Sequence, residues 1–227
     1  MSAAKGASIA SEVGAWIAAN PYATIAEYRR MRRGHSRALR DAPAATVTRE
    51  ALVLSQVPLS GHRFIAYELV QNHPAAAAAL DARLLGRLGR GMAAWEQVDC
   101  FSIYLSGPAW QRRQVADGVI HDWARSPDLW WRRAALVSTV PLNSRAHGGV
   151  GDGPRTLRVC RMLEADRDPM VVKAVSWALR ELAKRDPARV RAFLAERGEK
   201  LAALVRREVR NKLDTGLKNP GKRRAAR

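Results

Sequence analysis

The sequence predicts an all-α protein built from stacked pairs of helices. Apolar residues recur at intervals of three and four along most of the 227-residue chain, which is the periodicity of amphipathic helices. Capping residues and prolines stand where several of these segments begin. Because no segment of useful length alternates apolar and polar residues with a period of two, we expect no β-strands.

The chain begins with one amphipathic segment followed by a strongly basic one. Ile9, Val13 and Ile17 share one helical face, and this pattern stops at Asn20-Pro21. The basic segment covers residues 28–40. Further helices are predicted over residues 48–57, 60–73, 75–89, 92–106, 108–126, 128–141, 153–166, 168–186, 187–196 and 197–213.

The starts of these helices and the loops between them indicate how the helices are arranged. Pro74 precedes an alanine run, and Asp168-Pro169 and Asp186-Pro187 each combine a capping side chain with proline in the first turn. Short loops predict antiparallel pairs of roughly 30 to 40 residues, which is typical of HEAT-like α-solenoids with an extended concave surface. Because the sequence repeat is weak, a compact helical bundle is the alternative.

The C-terminal end carries a separate concentration of positive charge. Residues 205–213 have the pattern of an amphipathic basic helix, and 222–224 read Lys-Arg-Arg in a tail that contains Gly and Pro. Such tails are typically disordered and attract phosphate, although a role in solubility alone is the alternative. We therefore predict one HEAT-like solenoid domain over 1–215 and a disordered basic tail over 216–227.

Composition indicates a folded protein with an anionic partner. With 47% hydrophobic residues the chain can bury a core. The formal net charge of +18 and the pI near 11.2 favour nucleic acid over a membrane surface. A ribosomal-type basic protein is the alternative, but seven Trp residues suit an enzyme-sized folded body better.

Targeting and cysteine patterns point to an intracellular protein. The N-terminus lacks the apolar core of a signal peptide and no window approaches a membrane span. Cys100 and Cys160 lie in apolar helical contexts without a second Cys or His at metal-ligand spacing, so we interpret both as buried thiols and not as a disulfide or metal site. We expect a cytoplasmic, nucleoid-associated bacterial monomer with no membrane partner, metal or other cofactor.

Trp95 and Asp99 are the first pair of candidate functional residues. They are separated by four positions, so on a helix they lie on one face one turn apart. A carboxylate in so basic a chain stays ionised and can stabilise positive charge or orient a water. The neighbouring indole face attracts an electron-poor group. The structural alternatives are a core tryptophan and a surface aspartate in a salt bridge with an arginine.

Two later segments add cations and a second indole. The run Trp-Trp-Arg-Arg over 130–133 ends in Arg132 and Arg133, of which one is expected to face solvent or a phosphate. On a later helix Lys173 precedes Trp177 by one turn. Core packing is the expected role of the other tryptophans, which are Trp16, Trp110, Trp123 and one of Trp130 and Trp131.

Together these segments resemble the AlkD-like family of DNA alkylation-repair glycosylases, which are HEAT-like α-solenoids. The resemblance covers residues 48 to 185 approximately. Trp95 and Asp99 match the aromatic residue and the catalytic aspartate of the family. Arg133 matches its active-site cation, and Trp177 matches the second aromatic residue of the cleft. The resemblance implies release of positively charged N3- or N7-alkylated purines from duplex DNA.

The chemistry of such lesions suits a site with one acid. A cationic alkylpurine is already a good leaving group, so the enzyme must only stabilise the cationic sugar and deliver water, which Asp99 can do. Trp95 and Trp177 would flank the sugar, and Arg133 would hold a phosphate or orient Asp99. Lys173 is expected to contact DNA or to be structural, not to form a Schiff base, so the activity is expected to be monofunctional.

The glycine-rich segment 143–154 looks longer than a usual turn between paired helices. Its glycines resemble a phosphate cradle, but no Lys-Ser or Lys-Thr follows them, which argues against a P-loop. We interpret the segment as a flexible surface connection in which Arg145 and His147 are candidate DNA contacts.

Two other functions are compatible with a helical scaffold. A non-catalytic protein of the same architecture would bind bent or branched DNA without excising bases. A protein-interaction solenoid is the third class, and the net charge of +18 argues against it.

Overall fold

In the computed structural model, residues 8–220 are described, and every regular element within that range is a helix. The predicted all-α class is therefore confirmed. The chain forms two compact units that meet in sequence between Leu105 and Ser106, and within each unit neighbouring helices pack as pairs, as expected of a helical solenoid. The single domain over 1–215 stays a prediction, and most of the predicted tail, residues 221–227, lies outside the described range.

The first unit is organised around one central helix. Its helices are α1 (Ile9–Ala19), α2 (Ile25–Ala38), α3 (Ala44–Gln56), α4 (Ser60–Gln71), α5 (Pro74–Ala78), α6 (Ala82–Gly89) and α7 (Trp95–Phe101). Helix α4 packs against α2, α3 and α7, and every residue from 62 to 70 is buried. Because α2 and α7 both pack against α4, the position of each relative to the other is fixed by this buried helix. A π-helical turn, Ser102–Ser106, continues the chain after α7.

Helix α2 lies where the sequence indicated only a basic segment, residues 28–40. Its start is a capping box: the Glu27 backbone N–H donates to Thr24 Oγ1 at 3.4 Å, and the Thr24 N–H donates to Glu27 Oε2 at 2.7 Å. The Thr-x-x-Glu pattern was visible in the sequence. Because residues 25–38 form a helix, the arginines of this segment that are four residues apart lie on the same side of α2.

The second unit is organised around its longest helix. Its helices are α8 (Gly107–Gln111), α9 (Asp117–Ala124), α10 (Leu129–Val137), α11 (Thr139–Asn143), α12 (Gly153–Met162), α13 (Pro169–Leu182), α14 (Pro187–Arg197) and α15 (Ala203–Thr215), with 3₁₀ turns at Arg145–His147 and Gly198–Lys200. Helix α13 packs against α10, α12 and α15 and buries most of its side chains. As predicted, Asp168 caps it, and Pro169 stands in its first turn.

Three predicted helices are each divided in the structure, and the one over 128–141 is divided at Ser138, between α10 and α11. The predicted helix over 75–89 is interrupted because Asp81 Oδ1 accepts a hydrogen bond from the Leu84 N–H at 2.7 Å and so starts α6. The predicted helix over 108–126 is interrupted at Arg113, which has a φ of 62°. This left-handed backbone conformation cannot continue a right-handed helix.

The glycine-rich loop over 143–154 is anchored to its surroundings. Asn143 Nδ2 donates to Thr156 Oγ1 at 2.8 Å, and Asn143 Oδ1 accepts from the Asp152 N–H at 2.9 Å. Arg185 Nε donates to the Asn143 carbonyl oxygen at 2.8 Å. At Gly149 an added Cβ would collide with the backbone of α11, so only glycine fits there. These contacts correct the expectation of a flexible connection.

Candidate active site

Helix α7 carries the first pair of candidate residues and is tied to the turn before α4. It begins at Trp95, whereas the predicted helix began at residue 92. Gln97 Oε1 accepts a hydrogen bond from the Ala93 N–H at 2.9 Å, and Gln97 Nε2 donates to the Pro58 carbonyl oxygen at 3.1 Å and to Ser60 Oγ at 3.2 Å. The buried Gln97 side chain therefore fixes both the entry and the position of α7.

Trp95 and Asp99 lie one turn apart on α7 at the predicted spacing. The Trp95 side chain is 54% exposed, which contradicts the core-packing alternative for this residue. Asp99 is partly buried, and its helical neighbours Val98 and Phe101 are fully buried. An exposed indole and a half-buried carboxylate on a rigidly packed helix can present an electron-rich face and a negative charge to the same ligand.

The thiol next to this carboxylate is chemically inert. Burial raises the pKa of Cys100 to about 12, and the negative charges of Asp99, Glu68 and Glu96 add to the effect. Burial also raises the pKa of Cys160 to about 12. Both cysteines are free, and Cys160 is buried as predicted, whereas Cys100 is only partly buried. Neither thiol is a nucleophile at neutral pH.

Helix α10 carries Arg132 and Arg133, and both guanidinium groups form structural hydrogen bonds. Arg132 Nε pairs with Asp166 Oδ2 at 2.8 Å, and its Nη1 donates to the Pro127 carbonyl oxygen at 2.8 Å. Arg133 is only 5% exposed, and its Nη1 donates to the Met170 carbonyl oxygen at 2.6 Å. Neither residue is therefore a freely solvated arginine, and a phosphate contact by one of the pair stays a prediction.

Helix α13 places Lys173 and Trp177 one turn apart. Lys173 is exposed, whereas Trp177 is partly buried on a helix whose residues Ala174 and Ala178 are buried. The Arg133–Met170 hydrogen bond ties α10 to the first turn of α13. The candidate residues thus fall into two groups, with Trp95 and Asp99 in the first unit and Arg132, Arg133, Lys173 and Trp177 in the second.

The remaining tryptophans are buried or partly buried, as expected for packing residues. Trp110 is fully buried, and its Nε1 donates to Asp117 Oδ1 at 2.8 Å. The rings of Trp123 and Trp131 pack at 4.8 Å between centroids. Trp16 contacts the Tyr28 ring edge-to-face. The prediction of core packing is confirmed for Trp110.

A charged cluster beside α7 was missed in the sequence. Glu68 of α4 is 3% exposed and accepts hydrogen bonds from Arg29 Nε at 2.9 Å and from Arg32 Nε at 3.1 Å. Arg29 Nη2 also donates to the Tyr104 hydroxyl at 3.2 Å, just after α7. The hydrogen bond to Glu68 raises the pKa of Arg29. These pairs join residues far apart in sequence, so no local pattern could indicate them.

A small cavity of about 240 Å³ adjoins α7 and is lined in part by Tyr28, Phe64, Glu96 and Cys100. Ligand pockets are typically larger, roughly 300–1,000 Å³. The site is therefore an open helix face with an adjoining depression. Among residues 8–220, no group of three or more His, Cys, Asp and Glu is placed to hold a metal ion. No helix within that range is long and apolar enough to span a bilayer.

The comparisons with known proteins agree with the resemblance seen in the motifs. A family model described as DNA alkylation repair enzyme matches residues 24–213, more than four fifths of the chain. The match includes all six candidate residues and begins at Thr24, the capping residue of α2. A comparison with curated proteins finds no match.

Proposed function

This chain belongs to the DNA alkylation repair enzyme family, and we propose that it is a monofunctional DNA glycosylase that excises cationic N3- and N7-alkylated purines from duplex DNA. The family membership makes it an enzyme of alkylation-damage repair with DNA as substrate or partner. The glycosylase chemistry is our inference. The observation that carries it is the exposed Trp95 one helical turn from the half-buried Asp99.

The proposed reaction is hydrolysis of one N-glycosidic bond. The bond between the base nitrogen and C1′ breaks, and its electron pair neutralises the cationic purine, which leaves without being protonated. Positive charge develops on the deoxyribose, where the ionised Asp99 stabilises it. A water oxygen then bonds to C1′, and its proton passes to Asp99 or to solvent. The products are a free alkylpurine and an abasic site.

Trp95 and the charge of the chain support substrate binding in this proposal. The half-exposed indole can place its electron-rich face against the cationic sugar as charge develops. An open helix face suits a lesion that is recognised without a deep base pocket. The net charge of +18 supplies phosphate contacts that do not depend on sequence. The roles of Arg133 and Trp177 in substrate binding, and of Lys173 and Arg132 in DNA binding, stay predictions.

The alternative function is a non-catalytic protein that binds bent or branched DNA. One observation favours it, namely the burial of Arg133 and the donation of its Nη1 to a backbone carbonyl oxygen. A buried guanidinium group that donates to a backbone carbonyl oxygen is less able to bind a phosphate or to orient Asp99.

An excision assay with two classes of lesion tests the proposed function. Wild-type protein is incubated with duplexes that contain N7-methylguanine or uracil, and release of the free base and binding to the duplex are both measured. We expect release of N7-methylguanine only, because neutral uracil is a poor leaving group unless an acid protonates it, whereas the cationic alkylpurine leaves without being protonated. Duplex binding without release of N7-methylguanine would instead favour the non-catalytic function.

A further inference from the structure

Helix α2 presents a row of arginines along one side. Arg29, Arg33 and Arg37 follow one another at intervals of four residues, and Arg40 stands just beyond the helix end. Residues at this spacing share one helical face. At a rise of 1.5 Å per residue, the row from Arg29 to Arg37 spans roughly 12 Å. The capping box at Thr24 and Glu27 fixes the start of this helix.

The two ends of the row differ in how their charge is compensated. Arg29 pairs with the buried Glu68. Arg33, Arg37 and Arg40 are exposed, and their side chains form no ion pair or hydrogen bond with any residue between 8 and 220. The positive charge of these three residues is therefore available to an external anion.

A concavity of about 380 Å³ lies along the uncompensated part of the row. It is lined on one side by Arg32, Arg33, Arg37 and Arg40 and on the other by Asn72 and His73, between α4 and α5. None of the residues that line it is acidic. Guanidinium groups match the geometry of phosphate oxygens with paired N–H donors. The concavity therefore suits phosphate groups.

The row begins beside the candidate active site. At its first member, Arg29 Nη2 donates to the Tyr104 hydroxyl, three residues after α7 ends. Tyr28, next to Arg29, lines the cavity that Glu96 and Cys100 of α7 also line. Consecutive phosphates on one strand of B-DNA advance about 3.4 Å along the helix axis and lie about twice as far apart along the backbone, so a row of about 12 Å reaches about two or three phosphates.

We propose that this row is a track for the phosphate backbone of duplex DNA beside the lesion, with Arg33, Arg37 and Arg40 each contacting a phosphate. The contacts position the duplex and carry no sequence information. Glu68 is a positioning residue in this arrangement, because it holds Arg29 and Arg32 and so orients α2 on α4. The inference rests on the proposed function, since it takes duplex DNA as the substrate.

A pair of charge-matched triple variants tests the track. The first carries Arg33→Gln, Arg37→Gln and Arg40→Gln. The control carries Arg83→Gln, Arg87→Gln and Arg90→Gln, which removes three exposed charges on and next to α6 of the same unit. Affinity for an undamaged duplex is measured between 50 and 300 mM salt, values that lie around physiological ionic strength. Thermal unfolding of both variants confirms that they are folded.

The expected loss follows from counterion release. Each phosphate contact contributes about −0.9 to the slope of log affinity against log salt, so losing three contacts makes this slope less steep by about 2.7. Near 0.1 M salt the affinity of the α2 variant should fall on the order of a hundredfold. The α6 variant should keep the slope of the wild type to within about one contact.

Equal losses in the two variants would mean that only net charge matters and would overturn the track. Unchanged duplex affinity in the α2 variant would overturn it too, as would a loss seen with duplex RNA but not with duplex DNA. Failure of the proposed function gives a different result. If duplex binding by the wild type depends on the arginines of α2 but no alkylpurine is released, the phosphate track is supported and the glycosylase activity is refuted. If the α2 variant instead excises N7-methylguanine at the wild-type rate and binds duplex with wild-type affinity, the glycosylase activity is supported and the phosphate track is refuted.

Discussion

Removing the negative charge of Glu68 should destabilise the first unit markedly. Its carboxylate is 3% exposed and accepts hydrogen bonds from Arg29 Nε at 2.9 Å and Arg32 Nε at 3.1 Å. The substitution Glu68→Gln keeps the size of the side chain and one oxygen acceptor. It removes the charge and puts an N–H donor where the second arginine now donates, so one of the two hydrogen bonds is lost.

The two arginines contribute unequally to the expected cost. The Arg29 side chain is 44% exposed, so water screens its pair with Glu68, which contributes about 0–1 kcal/mol. The Arg32 side chain is 10% exposed, and leaving such a charge without its partner costs about 3–5 kcal/mol. Because glutamine keeps one acceptor, we expect Glu68→Gln to lower the free energy of unfolding by about 2–3 kcal/mol.

Urea unfolding followed by far-UV circular dichroism measures this change. The matched control is Glu50→Gln in α3, whose partner Arg49 is 69% exposed at 3.7 Å, so its loss should cost about 0–1 kcal/mol. If Glu68→Gln is no more destabilising than Glu50→Gln, the hydrogen bonds of Glu68 with Arg29 and Arg32 do not stabilise the protein as inferred. A second substitution, Glu68→Ala, should cost more than Glu68→Gln, because it also removes the remaining acceptor.

Two further predictions concern an arginine pair and a buried histidine. Arg133→Ala should slow excision and weaken duplex binding more than Arg132→Ala, as single-turnover rates and duplex affinities would show; the opposite order would mean that the functional face of α10 is assigned wrongly. Burial lowers the pKa of His62 from its ordinary value of 6.5, and its Nδ1 has no hydrogen-bond partner within the described range. As the pH falls, His62 therefore takes up a proton in the unfolded chain before it does so in the folded protein. Well above pH 6.5 its titration does not affect the free energy of unfolding. Below pH 6.5, toward the lowered pKa, the free energy of unfolding decreases. Unfolding free energies at pH 7.5 and 5.5 should then differ less in His62→Gln than in the wild type, and an equal difference would exclude His62 as the cause.

Local patterns predicted what depends on local geometry. The four-residue spacing of Trp95 and Asp99 was sufficient to place them on one helix face, because i and i+4 positions lie together in any α-helix. The proline and aspartate caps of α13 were likewise readable from the sequence. The capping box of α2 was equally local and could have been found by looking for Thr-x-x-Glu.

Features that depend on distant residues could not be predicted in this way. The pairs of Glu68 with Arg29 and with Arg32 join positions 39 and 36 residues apart, respectively. The burial of Arg133 follows from the packing of α10 on α13, which no spacing within α10 reveals. The break at Arg113 is a left-handed backbone conformation that non-glycine residues adopt uncommonly, so the sequence favoured a continuous helix there.

The central claim is that the negative charge of Asp99 stabilises the developing cation on the sugar. Asp99→Asn keeps the size of the side chain and removes this charge. One well-placed electrostatic contact contributes about 2.7–4 kcal/mol to a transition state, which corresponds to a rate change on the order of a hundred- to a thousandfold. The control is Glu96→Gln, which removes the other carboxylate of α7, three residues before Asp99, where it accepts a hydrogen bond from Ser60 Oγ.

The most direct test is the single-turnover rate of N7-methylguanine release from a duplex by wild type, Asp99→Asn and Glu96→Gln, with duplex affinity measured alongside. The account predicts that Asp99→Asn is slower than the wild type by a factor on the order of a hundred to a thousand. It also predicts that Glu96→Gln is slowed far less and that both variants bind undamaged duplex at least as tightly as the wild type. Release by Asp99→Asn at the wild-type rate would contradict the catalytic role of Asp99.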